Sequence, residues 1–371
     1  MNFELNDDQR MLTDSVDRLL TLPTEGRWAH FAEMGLLGLP IPDSAGGFGG
    51  GGVESMLVME AIGRTLAPEP YLSAVLLVAG LLAEDERQSA RLAQVMAGEA
   101  RWTIAFSEPQ GRYDLADIAT SATQDGDNWV LQGRKVAVID LDPSCRLLVV
   151  ARTSGRRTDE EGATLFALAV DAPGLEVTYR RTPDGRRSAE LTLSSVRVSN
   201  ADRVGPLDGA MPLLRRAVDR AIAGACAEAV GAMAHLLDIT VDYLKTRRQF
   251  GQPIGAFQAL QHRAADMLVE VELARSMAMY AAGFVDETRE IVRRSAIAAA
   301  KVQVIQSARF VGQQAIQLHG GIGMSEEHVA GSYFKRLTQF ERLLGDEDHF
   351  LREIDRCGGI GLGAIPSSEH V

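Results

Sequence analysis

The sequence predicts an α+β protein with an N-terminal helical domain, a central antiparallel β barrel or sandwich, and a C-terminal helical bundle. Apolar residues recur every three or four positions at both ends of the chain, whereas short runs rich in β-branched and aromatic residues fill the middle. No helix-length pattern interrupts those runs, which argues against a parallel sheet with alternating helices. We therefore expect domains at residues 1–100, 101–205 and 206–358, followed by a flexible tail at 359–371.

The N-terminal part shows helical patterns and one glycine-rich segment. Asn6 can cap the first helix, because its short polar side chain accepts hydrogen bonds from the first backbone N–H groups. Gly47, Gly49 and Gly52 match the G-x-G-x-x-G pattern of dinucleotide-binding turns. That pattern requires a preceding strand in a βαβ unit, and here a helical segment precedes it. We therefore interpret the segment as a flexible loop before a helix that begins near Ser55.

The central part contains the runs that predict strands. Turn signals such as Asp125-Gly126, Pro173-Gly174 and Asp184-Gly185 separate them. The runs are WTIAFSEP, NWVLQGRKVAVID, RLLVVARTSG, TLFALAV, LEVTYRR and AELTLSSVRV.

The C-terminal part predicts a bundle of amphipathic helices. Apolar positions at helical spacing mark these helices at residues 214–243, 260–284, 290–318, 325–340 and 346–357. The third of them stops at His319-Gly320-Gly321, where glycine can end a helix in a left-handed conformation.

A turn that cannot be helical separates the first two helices of the bundle. Its sequence, FGQPIG, combines two glycines with a proline that lacks a backbone donor. Arg247, Arg248, His262 and Arg263 crowd this turn in a chain whose net charge is −12, which suggests an anionic ligand. The alternative is an ordinary helix C-terminus whose basic residues oppose the helix dipole.

Composition restricts the class of protein and its location. The net charge of −12 argues against a general nucleic-acid or anionic-membrane surface. The chain starts without a cationic and apolar signal segment, and no apolar run reaches membrane-spanning length. Three widely spaced cysteines do not make a disulfide framework. We therefore expect a cytoplasmic protein with no nucleic-acid partner, no membrane partner and no metal site.

Several motifs, in order along nearly the whole chain, resemble the acyl-CoA dehydrogenase family. The bundle contributes RRQFGQPIGAFQALQHRAADM, QAIQLHGGIGM, YFKRL and LLGDEDHFLREI, and the central part contributes Ser107-Glu108-Pro109 and Gly133-Arg134-Lys135. Within the family, LLGD and GRYDLAD resemble the small subunit of pimeloyl-CoA dehydrogenase and related bacterial subunits that pair into two-plus-two heterotetramers. The resemblance implies FAD as the cofactor, an acyl-CoA substrate and electron-transfer flavoprotein as the electron acceptor.

The resemblance also implies which residues bind FAD. Family members hold the isoalloxazine ring against their own β domain, where Ser107 lies, and the pyrophosphate and adenine against a neighbouring subunit's bundle. Arg247 and Phe250 match that second region, a guanidinium for the pyrophosphate and a ring for the flat ligand. For Phe250 the alternative is packing in the core.

A second group of residues would face the adenosine part of FAD. These are Gln317, Gly320 and Gly321, where absent side chains let the backbone approach the ligand. The alternative for all three is an ordinary helix terminus.

The catalytic base of the family has no counterpart at the matched positions. Oxidation of an acyl-CoA needs a carboxylate in an apolar pocket to take the α-proton while a hydride leaves Cβ. The resemblance matches the family's two base positions to Leu344 and Ala221, and neither side chain can accept a proton. Glu228 lies on the same helix face as Ala221 and is the candidate for a relocated base. Its alternative role is to pair with a cation inside the bundle.

Positions near the flavin also depart from the family pattern. Ala137 and Ile139 replace an aromatic residue and a threonine that would pack on the flavin and hydrogen-bond to it. Asp346 and Asp348 stand where the family has a threonine and a glutamine, and carboxylates there would repel a diphosphate.

Three functions follow as hypotheses. The first is a subunit of a heteromeric FAD-dependent acyl-CoA dehydrogenase that lacks the base and contributes part of the FAD site, while a paralogous partner supplies the base. The second is a self-sufficient homomeric flavoenzyme with a relocated base. The third is a non-enzymatic scaffold subunit. The sequence leaves the acyl group open among dicarboxylic, fatty and steroid side-chain thioesters.

Overall fold

The computed structural model describes residues 4–325 and 328–359, and contacts divide the chain into two compact units. The bundle unit comprises Met1–Leu22, Gly51–Pro68 and Ile222–Val371. The sheet unit comprises Pro23–Gly50 and Glu69–Ala221. Because both units draw on distant parts of the chain, the domain boundaries expected from the sequence stay predictions.

Helices predominate at both ends of the chain, as the apolar periodicity predicts. The first begins as expected, because the Asn6 side chain accepts a hydrogen bond of 2.8 Å from the Gln9 N–H. The helices are α1 (Asp7–Leu20), α2 (Arg27–Glu33), α3 (Gly52–Thr65), α4 (Gly80–Ala83), α5 (Ser89–Met96), α6 (Ala210–Thr246), α7 (Gln258–Phe284), α8 (Glu290–His319), α9 (Val329–Phe340) and α10 (Glu347–Arg356). A π-helix, Leu72–Ala79, leads directly into α4.

Helices α3 and α6 cross at two glycines of the bundle unit. A Cβ atom on Gly63 would lie 1.8 Å from the Glu228 carbonyl oxygen, and one on Gly231 would lie 1.9 Å from the Glu60 carbonyl oxygen. No side chain fits at either position, so the two helices approach to backbone contact. This crossing fixes the part of α6 that carries Glu228.

Contrary to the expectation that no apolar run reaches membrane-spanning length, helix α6 is long and apolar enough to cross a membrane by length and composition. However, 78% of its apolar 18-residue window is buried inside the protein. That burial is the pattern of a core helix rather than a membrane span.

The middle of the chain forms an eight-stranded sheet in the sheet unit, within the described residues. Its strands are β1 (Arg101–Ala105), β2 (Ser121–Asp125), β3 (Asn128–Ile139), β4 (Cys145–Arg152), β5 (Ala163–Ala169), β6 (Leu175–Arg181), β7 (Arg187–Ser199) and β8 (Arg203–Val204). They pair in the order β6-β7-β3-β2-β4-β5-β8, and β1 pairs with β4. The predicted fold class is therefore confirmed.

The sheet differs from the expectation in being mixed rather than wholly antiparallel. Strand β1 runs parallel to β4, with Arg101 opposite Cys145 and Ala105 opposite Val149. Parallel neighbours need a crossover connection, and a helix usually supplies it. Here the β2–β3 hairpin lies in the connection, so the sequence contains no helical crossover that would signal the parallel pair.

Alternate residues of the strands form the core of the sheet unit. Strand β4 is buried at every position except Arg146, which matches its continuous apolar run LLVVA. Trp129 packs on Phe166 with ring centroids 5.7 Å apart. The core therefore joins β3 to β5 across the sheet.

The glycine-rich segment near residue 50 follows a 3₁₀ turn at Asp43–Ala45 and leads into α3, which begins at Gly52. A helical element thus precedes it, as expected, and the dinucleotide interpretation has no support. The predicted tail lies outside the described residues after Gly359.

Candidate functional site

The segment that follows α6 forms a small hairpin, residues 247–253, which we call the arm. Its strands are β9 (Arg248–Gln249) and β10 (Gln252–Pro253). The Arg247 N–H donates to the Tyr243 carbonyl over 2.8 Å, and the Arg247 carbonyl accepts from the Ile254 N–H over 2.8 Å. The backbone of the arm is therefore anchored at its base to the end of α6.

Phe250 lies at the tip of the arm and is 91% exposed. Its φ of 51° places a non-glycine residue in the left-handed region, which turns the hairpin at the cost of some strain. Its ring contacts only the edge of Phe257, with centroids 6.0 Å apart, among the ring pairs of the described residues. Burial of such a ring contributes about 1.5–3 kcal/mol, and this chain leaves it in water. Packing in the chain's own core is thereby excluded for Phe250.

The charged side chains of the arm differ in their partners. The Arg248 guanidinium donates to the Gly251 carbonyl over 3.1 Å, within the arm itself. Among the residues that the structure describes, Arg247 pairs with no carboxylate and is exposed. An exposed guanidinium beside an exposed ring is suited to a planar ligand with an anionic group.

The end of α8 presents an open stretch of backbone. The helix ends at Gly320 with φ 60° and ψ −140°, a conformation that favours glycine. A Cβ atom on Gly320 or on Gly321 would meet nothing within 4 Å. The Gln317 side chain nearby is exposed. A ligand can therefore approach the backbone at this turn, so its residues and those of the arm fit a dinucleotide such as FAD.

The structure brings the arm and this turn together through aromatic rings. Tyr243, one helical turn before Arg247, stacks on His319 with ring centroids 4.6 Å apart and planes 27° apart. His319 directly precedes Gly320. Sequence reasoning missed this contact, although His319 stands within a quoted motif. The five predicted residues of the bundle thus lie at neighbouring helix ends.

Ser107 belongs to the sheet unit, where it joins two motif segments. Its carbonyl accepts from the Val136 N–H over 2.9 Å. The adjacent Glu108 forms a buried ion pair with Lys135, with an Oε1–Nζ distance of 2.6 Å. Glu108 also accepts from the N–H groups of Ala119 and Thr120. The Ser-Glu-Pro loop is therefore held rigidly against β3.

Electrostatics keep this pair ionised at neutral pH. Burial alone would raise the pKa of Glu108, but the charge and hydrogen bond of Lys135, with hydrogen bonds from Thr120 and Gln110, outweigh it and lower that pKa to about 2. Burial lowers the pKa of Lys135 to about 8, although Glu108 opposes the change. The two motif residues thus serve the structure of the loop.

Leu344 occupies a strained turn between α9 and α10. Its φ is 61°, and the next residue, Gly345, has φ 143°. A Cβ atom on Gly345 would lie 2.4 Å from the Phe350 ring. Asp346 then caps α10, because its Oδ1 accepts from the His349 N–H over 2.9 Å. Asp346 therefore serves as the cap of α10. Position 344 of the same turn carries a leucine and no carboxylate.

The other two positions considered for a base are both buried. Ala221 is inaccessible to solvent and lies within α6. Glu228 pairs with Arg336 of α9 inside the bundle, with an Oε1–Nη1 distance of 2.5 Å. A charge-assisted contact of this kind holds the carboxylate in place. The geometry matches the cation-pairing role expected as the alternative for Glu228.

Comparisons with known proteins give one consistent result. Three family descriptions match in chain order: "Acyl-CoA dehydrogenase, N-terminal domain" at residues 6–99, "middle domain" at 103–200 and "C-terminal domain" at 211–356. The probable acyl-CoA dehydrogenase YngJ of Bacillus subtilis is 30% identical over 351 residues, which cover 88% of this chain and 92% of YngJ.

Two solved structures are similar over almost the whole chain. A chain of the ChsE4-ChsE5 complex from Mycobacterium tuberculosis is 28% identical with a TM-score of 0.84, covering 99% of this chain and 100% of that one. A chain of the Tcur3481-Tcur3483 steroid ACAD is 29% identical with a TM-score of 0.83, covering 96% and 99%.

Proposed function

Because this chain belongs to the acyl-CoA dehydrogenase family of FAD-dependent oxidoreductases, we propose that it is one subunit of a heteromeric acyl-CoA dehydrogenase. In this role it contributes part of the FAD site and lacks the catalytic base. A paralogous partner subunit supplies the base and most of the acyl pocket. The reaction is α,β-dehydrogenation of an acyl-CoA thioester.

The observation that carries the proposal is an asymmetry between two sites of the chain. The arm keeps an exposed guanidinium at Arg247, which pairs with no carboxylate in the described part of the chain, and an exposed ring at Phe250. By contrast, Leu344 and Ala221 occupy the positions matched to the family's base. A chain that can hold a cofactor but cannot take the α-proton needs a subunit that differs from itself.

FAD, when bound, accepts the hydride that leaves Cβ of the substrate. The residues of this chain bind and orient it. Arg247 holds the pyrophosphate through charge-assisted hydrogen bonds, and Phe250 packs on the flat part of the ligand. Gln317 and the open backbone of Gly320 and Gly321 face the adenosine part. In the β domain of this chain, Ser107 lies on the loop that Glu108 holds against β3.

Further features support a paralogous partner. Helix α7 exposes Leu268, Val269 and Leu273, apolar side chains that a subunit contact would remove from water. The ChsE4-ChsE5 and Tcur3481-Tcur3483 neighbours are both named as pairs of different chains. We propose a two-plus-two heterotetramer in the cytoplasm that passes electrons to electron-transfer flavoprotein.

The acyl group is the least defined part of the proposal. The name of the Tcur3481-Tcur3483 neighbour refers to a steroid substrate, which favours a steroid side-chain or other bulky acyl-CoA over a short fatty one. Dicarboxylic acyl-CoA thioesters remain the candidate suggested by the LLGD and GRYDLAD motifs.

Flavin content per chain tests the heteromeric arrangement. The chain should be purified alone and after co-expression with a paralogous subunit that carries a glutamate at a family base position. We expect little or no bound FAD for the chain alone and stable FAD in the complex. A full complement of FAD in the chain alone would favour the homomeric flavoenzyme, whereas absence of FAD from both preparations would favour the scaffold.

A further inference from the structure

Three aromatic rings from three helix ends meet beside the proposed FAD site. Tyr243 comes from the end of α6, His319 is the last residue of α8, and His328 caps the start of α9. His319 lies in the middle, 4.6 Å from Tyr243 and 4.7 Å from His328 between ring centroids. Only 2% of His319 is exposed. The central ring of the stack is therefore buried where the three segments meet.

Hydrogen bonding fixes the protonation state of the central ring. The His319 Nδ1 lies 2.8 Å from the Ala315 carbonyl oxygen, so this nitrogen carries the proton and donates it. Nε2 is then the bare nitrogen, and it is buried without a hydrogen-bond partner among the described residues. A second proton on Nε2 would find no acceptor among the described residues and would place a charge at a buried position. The neutral ring is the form that the packing accepts.

The groups around His319 reinforce this preference. Tyr243 contributes a ring from α6, and among the described residues His328 is the titratable group whose charge acts on the protonation of His319. On the following turn, a Cβ atom on Gly323 would lie 2.9 Å from the His319 Cβ, so no side chain fits between this turn and His319. Burial lowers the pKa of His319, the Ala315 hydrogen bond opposes this, and repulsion from His328 adds to it.

The stack lies between the two groups of residues that bind FAD in the proposed function. Tyr243 is hydrogen-bonded through its carbonyl to Arg247, at the base of the arm. His319 is bonded covalently to Gly320, at the open turn. The two stacked rings therefore connect the base of the arm to the open turn.

We propose that His319 is a positioning residue of the cofactor site, whose neutral ring sets the distance between Arg247 and the Gly320-Gly321 turn and whose protonation releases FAD from the complex. This inference rests on the proposed function. It adds a sensitivity to acid that the family assignment does not supply. His319 touches no substrate or cofactor atom in this scheme and acts through its neighbours.

The test compares FAD retention by the assembled complex at about pH 7.5 and about pH 5, values on either side of the ordinary histidine range. Released FAD is measured by its fluorescence after gel filtration. For the wild type we expect about ten-fold weaker retention or more at the acid pH, because proton uptake and FAD binding are linked. In H319F, which keeps a flat ring but cannot take a proton, retention should be equal at the two pH values, whatever its level at about pH 7.5.

Two further variants keep the inference falsifiable. H319A removes the ring and should weaken retention at both pH values. H328N keeps an acceptor for the α9 cap but cannot titrate, and it should retain the acid loss. Acid loss that survives in H319F and vanishes in H328N would overturn the inference. Unchanged retention in H319A would do so as well.

A second readout separates this inference from the proposed function. Amide hydrogen exchange of residues 319–323, corrected for the intrinsic effect of pH, should speed up in acid for the wild type and not for H319F. If R247A retains FAD fully, the proposed function fails, whatever His319 does. If R247A loses FAD and H319F behaves as wild type at both pH values, only the inference about His319 fails.

Discussion

At the scale of single residues, Lys301 of α8 is a fully buried ammonium with two contacts at the end of α9. Its Nζ donates to the Phe340 carbonyl over 2.7 Å and lies 3.3 Å from the centre of the Phe340 ring. Burial lowers its pKa from 10.5 to about 7, although the nearby Cys226, Glu228 and Glu341 oppose the shift. The buried charge is therefore a cost to the folded state, and it holds the end of α9, which leads into the Leu344 turn.

The sign of the resulting pH dependence follows from the two pKa values. Between about pH 7 and pH 10.5 the unfolded chain binds the Lys301 proton and the folded chain does not. Raising the pH through this range therefore increases the free energy of unfolding, by up to about 5 kcal/mol from this residue. K301M should remove that part of the increase in urea-unfolding experiments, whereas K335M, on the exposed face of α9, should keep it. The same slope in K301M and wild type would contradict this prediction.

Arg247 provides the residue-scale test of the cofactor site. A charge-assisted contact to a pyrophosphate is worth about 1.5–3 kcal/mol, so R247A should lower the FAD affinity of the complex about ten-fold or more. Because Arg247 is exposed and unpaired among the described residues, its removal should leave the free energy of unfolding of this chain almost unchanged.

Its neighbour supplies the matched control. Arg248 donates within the arm to the Gly251 carbonyl, so R248A tests loss of a charge next to the site. We expect a smaller loss of FAD affinity in R248A than in R247A, measured by titration of the flavin-free complex. Equal affinities for R247A and wild type would remove Arg247 from the site.

At the scale of elements, the contact between α3 and α6 depends on the absence of one side chain. G63A would place a Cβ atom 1.8 Å from the backbone oxygen of Glu228, which no rotamer change can relieve. We expect a loss of about 3 kcal/mol in the free energy of unfolding, because overpacking forces the helices apart. Chemical denaturation followed by circular dichroism measures it.

Gly331 of α9 is the control for a helical glycine in open surroundings. A Cβ atom there would lie 3.6 Å from its nearest neighbour, an ordinary contact. G331A should therefore raise the free energy of unfolding by up to about 0.5–1 kcal/mol, since alanine loses less backbone entropy. A similar loss in both variants would mean that the crossing is not tightly packed.

Most elements could be predicted from local pattern, and the exceptions have physical reasons. Helices α6 to α10 follow an apolar spacing that the sequence displays directly. The pairing of β1 with β4 could not be predicted, because a hairpin and not a helix lies between them. The π-helix Leu72–Ala79 cannot be distinguished from an α-helix by its sequence, since all of its residues are buried and its apolar run has no distinct periodicity.

The candidate site was partly predictable for similar reasons. Motifs identify Arg247, Phe250 and the Gly320-Gly321 turn, but the sequence could not decide between a buried and an exposed Phe250. The structure decides it, since the residue is 91% exposed. The stack around His319 joins residues far apart in the chain, and no local pattern signals such a contact.

At the scale of the whole molecule, the proposed function makes this chain a subunit that is incomplete by itself. It has a cofactor arm and exposed apolar residues on α7. It has Leu344 at the turn between α9 and α10, and its buried Glu228 is paired with Arg336. A partner with a carboxylate at either base position would complete the catalytic site. The central claim is therefore that the α-proton is taken by the partner and not by this chain.

Turnover of acyl-CoA by the chain alone, with excess FAD, and by the complex tests that claim most directly. A positioned base contributes about 10²–10⁴-fold, so we predict negligible oxidation by the chain alone. In the complex, E228Q in this chain should leave turnover nearly intact, provided that a thermal melt shows it folded, and replacing the partner's base carboxylate should abolish it. Robust turnover by the chain alone that is lost in a folded E228Q variant would contradict the account and identify a homomeric enzyme with a relocated base.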